Sequence, residues 1–262
     1  MFRRLREMYS TDILYGKMQS IDGIEKAQVF FGVDSGFTHV EKVRKKSDFG
    51  SCLLKFIRKH GAMNELRSDC APEILSEKTK EILRWFAIKG SQSAPGEQQQ
   101  NPVEGRIKDL LILLHWTMDR RNVPDKFWYQ CLLWVVDMDN IIAKLYPNGT
   151  WMSRIERAFG VQPDSSALMM YVFFDKLYFY DADTPGSKEQ PSRFMNWMTN
   201  TGDALCQRIW AEDTEEFVTR SVTRPRDDQD RNMRADLRGD GEDIDSNADR
   251  KDLVKSASSD AG

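Results

Sequence analysis

Two spacings of apolar residues run along this chain, and they predict different elements. Residues 27–33 read AQVFFGV, a short apolar run of the kind a buried strand leaves. Asp34-Ser35-Gly36 then predicts a hairpin turn, and residues 37–45 alternate as a following strand does. Residues 9–15 form an earlier strand-like run, closed by the turn signal IDG at 21–23. Ser47-Asp48 predicts the start of a helix with Leu53, Leu54, Phe56 and Ile57 on one face, and Gly61 predicts its end. Residues 63–69 return to a short strand-like run, and 76–89 to helical spacing with Ile82, Leu83 and Phe86. After the polar loop SQSAPGEQQQNP, Pro102 suits a first helical turn. Leucine-rich residues 103–121 and then 125–145 read as two further helices. The order β-β-β-α-β-α-loop-α-α describes a mixed α/β domain with helices covering a sheet.

The spacing changes after Tyr146-Pro147-Asn148-Gly149. Residues 168–180 (LMMYVFFDKLYFY) are aromatic-rich and strand-like, and short segments at 193–197, 205–210 and 216–223 follow between turns. That interval predicts a small antiparallel barrel or sandwich. The expected organisation is a core at 1–146, a linker at 147–167, a small β domain at 168–223 and a disordered mixed-charge tail at 224–262.

Composition narrows the function classes. The hydrophobic fraction is 40% and the aromatic fraction 11%, enough for a packed core, and no apolar run approaches the ~18–20 residues of a membrane span. Four cysteines, Cys52, Cys70, Cys131 and Cys206, are scattered without a CxxC pair, which argues against a zinc knuckle or a disulfide scaffold and points to a reducing interior, nuclear or cytoplasmic. Of the net charge of -3, the last 39 residues account for all: 8 Lys/Arg and 11 Asp/Glu lie from Arg224 onward, leaving 30 of each in the body. A neutral body counts against a tight nonspecific DNA binder, although local basic runs such as Lys42–Lys46 exist. Such a run is ordinarily a solvated strand edge. His39, His60 and His115 are dispersed without metal-ligand spacing, with His115 expected to pack. Trp116, Trp128 and Trp134 follow helical spacing and are expected in the core, as Phe173, Phe174, Tyr178 and Tyr180 are in the small β domain.

Carboxylates offer the candidate chemistry. Metal-dependent phosphoryl transfer needs hard oxygen ligands converging from rigid elements. Adjacent strands can each carry an aspartate, and a helix packed across the sheet can add a third carboxylate. Asp12 lies in the first strand-like run, Asp69 ends the fourth, and Glu104 sits in the first turn of the helix after Asn101-Pro102. Spacing alone is weak among 41 acids. Asp34 lies as far from Asp69 as Glu104 does, but next to Ser35-Gly36 it is already accounted for as a turn residue.

The segments YSTDILYGKMQSIDG, AQVFFGVDSGF, LRSDCAPE and APGEQQQNPVEGRIKDL together resemble the integrase core of retrotransposon polyproteins, most similar to copia-type elements. The resemblance covers roughly 9–144, with a weaker likeness of the later β-rich segment to the SH3-like barrel that follows such cores. It implies a ribonuclease H-like mixed sheet flanked by helices. It also implies a catalytic and metal-binding triad of Asp12, Asp69 and Glu104 holding two Mg²⁺ or Mn²⁺ ions. Gln100 and Asn101 match the Gln-Asn pair before the glutamate, and Pro124-Asp125-Lys126-Phe127-Trp128 resembles the opening of the following helix. Gln100, Asn101, Arg106 and Lys108 are the implied nucleic-acid contacts. Departures are Cys70 and Pro72 beside Asp69, Gly96-Glu97-Gln98 in the loop, and the lack of the zinc module and reverse transcriptase of a whole polyprotein, so a fragment is expected.

The implied function is DNA binding and divalent-metal-dependent DNA strand transfer by a homo-oligomer acting on element ends and target DNA, with no membrane partner. Two alternatives stay open: a catalytically inactive nucleic-acid-binding or interaction module derived from a mobile element, and a ribonuclease H-like nuclease.

Overall fold

Five strands form the first sheet: β1 (Arg4–Tyr15), β2 (Lys26–Gly32), β3 (Thr38–Val43), β4 (Ala62–Ser68) and β5 (Lys89–Gln92), in the order β3-β2-β1-β4-β5. β1, β2 and β3 are antiparallel neighbours, whereas β4 lies parallel to β1 and β5 parallel to β4. This is the mixed, helix-flanked sheet that the ribonuclease H-like resemblance implied. The computed structural model describes residues 3–68, 76–92, 101–163, 165, 170–181, 188–198 and 206–226. Asp69, Cys70, Pro72, Gly96–Gln98, Gln100 and all but the first three residues of the expected tail lie outside the described residues.

Helices α1 (Phe49–His60), α2 (Glu77–Trp85), α3 (Pro102–Arg121), α4 (Trp128–Ile141) and α5 (Arg154–Phe159) surround the sheet. α1 buries Phe49, Cys52, Leu53, Phe56 and Ile57, the stripe expected of an amphipathic helix. Its end is fixed by Gly61, at φ 113°, where a Cβ would stand 2.5 Å from the Arg3 carbonyl oxygen. Asp48 precedes α1 without capping it by its side chain; Oδ2 accepts the Lys45 N–H instead.

Strand alternation sorts the helices between the two faces of the sheet. Tyr9 meets the ring of Phe56 from α1 at 5.1 Å, while the next residue, Ser10, hydrogen-bonds Asn101 at the start of α3. α1 and α3 therefore cover opposite faces. Tyr9, Phe30 and Phe56 are fully enclosed on the α1 side, each worth roughly 2–3 kcal/mol of burial. On the other side α3 buries Val103, Arg106, Leu110, Leu114 and Met118.

Several expectations are corrected. The strand β5 lies where the end of a helix and the start of a polar loop are expected, because Lys89-Gly90-Ser91-Gln92 carries no apolar alternation and is recruited by pairing with β4. The predicted helix over 125–145 begins as a 3-10 turn, Asp125–Phe127, and ends at Ile141. A short hairpin joins β6 (Lys144–Leu145), at the end of the expected core, to β7 (Trp151–Met152) in the expected linker, which also holds α5, whose Ile155, Ala158 and Phe159 pack on the core. Trp116 is exposed and Trp128 buried, because α3 turns position 116 away from the sheet.

The chain divides into two units, Met1–Phe174 and Asp175–Gly262. Phe173 and Phe174 thus belong to the first unit, with Phe173 beside Trp134 and Phe174 beside Phe127, rather than to the small β domain. The second unit holds one antiparallel sheet, ordered β11-β10-β9-β8-β12, of β8 (Lys176–Tyr180), β9 (Glu189–Trp197), β10 (Gln207–Ala211), β11 (Glu216–Arg220) and β12 (Thr223–Pro225). Leu177, Phe179, Phe194 and Ile209 are buried there, while Tyr180 is exposed. This sheet is compatible with a small barrel-like domain.

Two histidines, His39 in β3 and His60 at the end of α1, face each other with Nδ1 of His39 3.2 Å from Nε2 of His60. Burial pushes His60 down to about 2, helped by His39 and Lys59, and burial lowers His39 against an opposing pull from Glu41. Both values lie below the ordinary ~6.5, so the unfolded chain takes up protons first as the pH falls. Stability is complete above about pH 6.5 and declines below it, by about 2 kcal/mol or more at pH 5. Thermal unfolding should show a midpoint several degrees lower at pH 5 than at pH 7.5, with His60→Leu flattening the dependence. A midpoint that does not move between these two values would contradict the buried neutral pair.

Candidate functional site

β1 carries the first candidate carboxylate near its end. Asp12 is half-buried and its Oδ1 accepts the Ile13 N–H at 2.7 Å. The strand around it is braced. Thr11 Oγ1 donates to the Val29 carbonyl at 2.8 Å, and Gln28 Nε2 donates to Thr11 Oγ1 at 2.7 Å and to the Asp12 carbonyl at 3.1 Å. Both β1 and β4 run toward this end of the sheet, and Thr11 is the register partner of Ser68. Each of these two residues immediately precedes a candidate aspartate in sequence.

α3 brings the glutamate to the same side. Asn101 stands at the N-cap, but its side chain does not cap the helix; it accepts the Ser10 hydroxyl, and both groups are almost wholly buried. Pro102 suits the first helical position, having no N–H to leave unpaired. Ser10, Asp12 and Leu14 project from one face of β1 by strand alternation. Ser10 touches Asn101, and Leu14 lines a cavity with Leu111 and Leu114 of α3. Strand and helix therefore advance in the same direction, and Asp12 lies between these two contacts. The stretch of α3 between them holds Glu104, half-buried, and Lys108, exposed. Positions 104, 108, 111 and 115 form one stripe of a 3.6-residue helix.

Arg106 departs from its expected role. It is 4% exposed, donates through Nε to Thr38 Oγ1 at 2.8 Å, and pairs through Nη2 with Asp139 Oδ2 of α4 at 2.5 Å. Asp139 also takes Lys144 at 2.6 Å and Arg154 at 3.2 Å. Burial pushes the Asp139 carboxyl up, but Arg106, Lys144 and Arg154 outweigh it and hold the group below its usual range. Arg106 is spent on this internal pair, which fixes the helix bearing Glu104, and is not placed to meet phosphate. A long basic side chain two residues after the candidate glutamate reads as a surface contact in sequence; its burial follows from the 103-106-110-114 stripe.

Asp34 is exposed on the β2–β3 turn, next to Ser35 and Glu7. β2 runs antiparallel to β1, with Gly32 opposite Tyr9 and Val29 opposite Asp12, so Asp34 stands at the other end of the strand pair from Asp12. Its place as a turn residue agrees with the ranking made from sequence.

Among the described residues no three His, Cys, Asp or Glu side chains group as a metal site. Asp12 and Glu104 are nevertheless oxygen donors on rigid elements beside one another, the donor chemistry that magnesium or manganese takes. Sequence reasoning missed Ser10 and Gln28 as the groups that hold this end of β1. Ser10 could have been found, since it shares a face with Asp12.

In the second unit, arginines lie over aromatic rings: Arg208 over Phe217 at 4.4 Å, Arg224 over Tyr178 at 4.6 Å and Arg226 over Tyr178 at 5.6 Å. Glu189 and Glu212 neutralise part of that charge through Arg224, Arg193 and Arg226.

No family model and no curated protein matches the sequence. Among solved structures the chain is similar to the HTLV-2 integrase catalytic core domain in complex with magnesium, at 18% identity and a TM-score of 0.45, over 58% of this chain and 95% of that one. It is also similar to the simian T-cell lymphotropic virus intasome in complex with the PP2A regulatory subunit B56 gamma, at 17% identity and a TM-score of 0.49, over 86% of this chain and 81% of that one.

Proposed function

We propose that this chain is an integrase-type polynucleotidyl transferase of retrotransposon character that joins DNA ends to target DNA. The observation that supports it best is the meeting of β1, β4 and α3: Thr11 pairs with Ser68 just ahead of Asp12 and Asp69, and Ser10 clasps Asn101 one turn ahead of Glu104. Asp12, Asp69 and Glu104 would hold two divalent ions, Mg²⁺ or Mn²⁺, which when bound would neutralise charge on the reacting phosphate and lower the pKa of the attacking hydroxyl.

The chain's own contribution is positioning. Braced β1 fixes Asp12, the Arg106–Asp139 pair fixes α3 and Glu104, and Lys108 on the Glu104 stripe offers its ammonium to the phosphate backbone. Gln100 would flank the DNA, whereas Asn101, buried in its clasp on Ser10, would act by holding the start of α3 against β1 rather than by touching DNA. In the reaction an oxygen, first of water and then of a freed 3′-hydroxyl, bonds to phosphorus as the opposite bridging P–O bond breaks. The Arg-aromatic surface of the second unit would add DNA affinity, and self-association would bring two ends together. No helix among the described residues is long and apolar enough to cross a membrane; action on DNA places the protein in the nucleus or cytoplasm.

The test is a Mg²⁺-dependent strand-transfer assay on the full chain, with Asp69→Asn as its partner. Joined product from the parent protein, and its loss in the variant, is the expected result. Equal product from both would remove Asp69 from the mechanism. Binding without any product from either would favour the inactive nucleic-acid-binding module, and cleavage of RNA–DNA hybrid alone would favour the ribonuclease H-like nuclease.

A further inference from the structure

The side of the sheet covered by α1 faces away from Asp12 and Glu104, and the proposed transfer chemistry uses none of its groups. The chain has three histidines, His39, His60 and His115. The fold brings two of them together on that side. Nδ1 of His39 in β3 stands 3.2 Å from Nε2 of His60 in the last turn of α1. The ring centroids are 4.7 Å apart with the planes at 66°. That is too close for both rings to aim their nitrogens along one line, the arrangement a strong hydrogen bond prefers.

The far nitrogen of His39 is held as well. Nε2 lies 3.3 Å from Oε1 of Glu41, two residues along the same face of β3, and Oε2 of Glu41 lies 3.4 Å from the Lys55 ammonium of α1. A carboxylate only accepts, so Nε2 of His39 keeps its proton and donates it, and Nδ1 is left with a lone pair. Metal-binding histidines ordinarily have such a partner on their other nitrogen, which fixes the tautomer and the ring. Around His60 the rings of Phe37, Phe56 and Phe159 stand at 5.1, 5.1 and 5.7 Å. His39 is 8% exposed, but His60 is only half-buried, so the pair has an approach from solvent. Two Zn–N bonds of about 2.0–2.1 Å at a tetrahedral angle put their nitrogens roughly 3.3–3.4 Å apart. The observed 3.2 Å is close to that span, so zinc can replace the proton between the rings with little movement. Magnesium and manganese favour oxygen donors and are poorly matched by two imidazoles.

We infer that His39 and His60 form a zinc site that pins the edge strand β3 to the end of α1. Among the described residues no group of three His, Cys, Asp or Glu forms here, so two waters on the open side complete the shell. Zinc is therefore held more weakly than at a four-ligand structural site. The site goes beyond the strand-transfer reading and stands whether or not the chain joins DNA.

Zinc chloride, added to the full chain at neutral pH in millimolar Mg²⁺ that occupies carboxylate sites, tests it. At half an equivalent of zinc, X-ray absorption at the zinc edge is expected to show two imidazoles and two oxygen ligands. Equilibrium dialysis should show zinc affinity falling at least tenfold in His39→Gln and in His60→Leu, and changing less than twofold in His115→Gln. Zinc should raise the thermal midpoint of the parent by several degrees and leave that of His60→Leu nearly unmoved. A shell of oxygen donors alone, or one with a single imidazole, would overturn the inference on the parent protein, so a variant that fails to fold does not shelter it. An affinity indifferent to both His39→Gln and His60→Leu, or one that follows His115 instead, would overturn it too.

Discussion

Strand transfer by Asp12→Asn protein is expected to fall by on the order of 10³-fold while the thermal midpoint stays within a few degrees of the parent. The asparagine Oδ1 can still accept the Ile13 N–H that Asp12 Oδ1 accepts at 2.7 Å, so the local strand geometry keeps its partner. The braces from Thr11 and Gln28 involve the backbone and neighbouring side chains rather than the Asp12 carboxylate. What disappears is one negative charge at the centre of the proposed site. Loss of that charge removes a hard anionic ligand, and with it the stabilisation of charge on the reacting phosphate. DNA affinity in metal-free buffer should hold or rise slightly, because a carboxylate near the phosphates has been neutralised. The informative comparison is therefore product formation against binding and thermal unfolding, all on one preparation. Retained transfer at near-parental rate would take Asp12 out of the chemistry, and a collapsed midpoint would make its role structural.

Asp139→Ala should be the most damaging single change to stability among the charged positions of the first unit, at about 3–5 kcal/mol. The carboxylate is 11% exposed and answers three cations: Arg106 at 2.5 Å, Lys144 at 2.6 Å and Arg154 at 3.2 Å. Removing it leaves two enclosed guanidinium groups facing each other, since Arg106 and Arg154 side chains are 3% and 13% exposed. The damage should spread beyond stability. Arg106 also binds Thr38, and the neighbouring Asn140 forks onto the Thr38 backbone, accepting its N–H at 3.0 Å and donating to its carbonyl at 2.7 Å. This network sets α3 on the sheet two residues from Glu104. Denaturant unfolding gives the stability loss, and strand transfer at a temperature where the variant is still folded gives the positioning effect. Asp139→Asn keeps an acceptor for Arg106 and should lie between the two. In acid the same carboxylate acts in the same direction as the histidines but at lower pH: its folded pKa is lowered, so its contribution is present above about pH 4 and is lost as the pH falls further. Acid unfolding should thus proceed in two stages, the first from His39 and His60.

Local chemistry was legible in the sequence wherever a residue's role depends on its near neighbours. The β2–β3 turn at Asp34-Ser35-Gly36, the end of α1 at Gly61 and the start of α3 at Pro102 are such cases, because φ preference and a missing N–H act within a few residues. The apolar stripe of α1 was visible for the same reason: its spacing is a property of one helix. Asp12 and Glu104 were found through a pattern of short motifs, and the structure sets their two elements side by side. Other features depended on which face meets a partner. β5 has no apolar alternation and exists through pairing with β4. Arg106 looks like a surface cation until the packing of α3 turns it inward onto Asp139, 33 residues away in sequence. Trp116 and Trp128, equivalent by spacing, end on opposite sides of their helices' packing. The Ser10–Asn101 clasp and the cavity between Leu14 and Leu111 join segments about 90 residues apart. The turns and the amphipathic stripes were set by the sequence alone, because local backbone preference and periodicity are written in neighbouring residues, while the carboxylate candidates came from the resemblance of short motifs to a known family. The burial of Arg106, the strand β5 and the cavity between Leu14 and Leu111 were decided by tertiary packing, where a side chain's environment comes from elements distant in the chain.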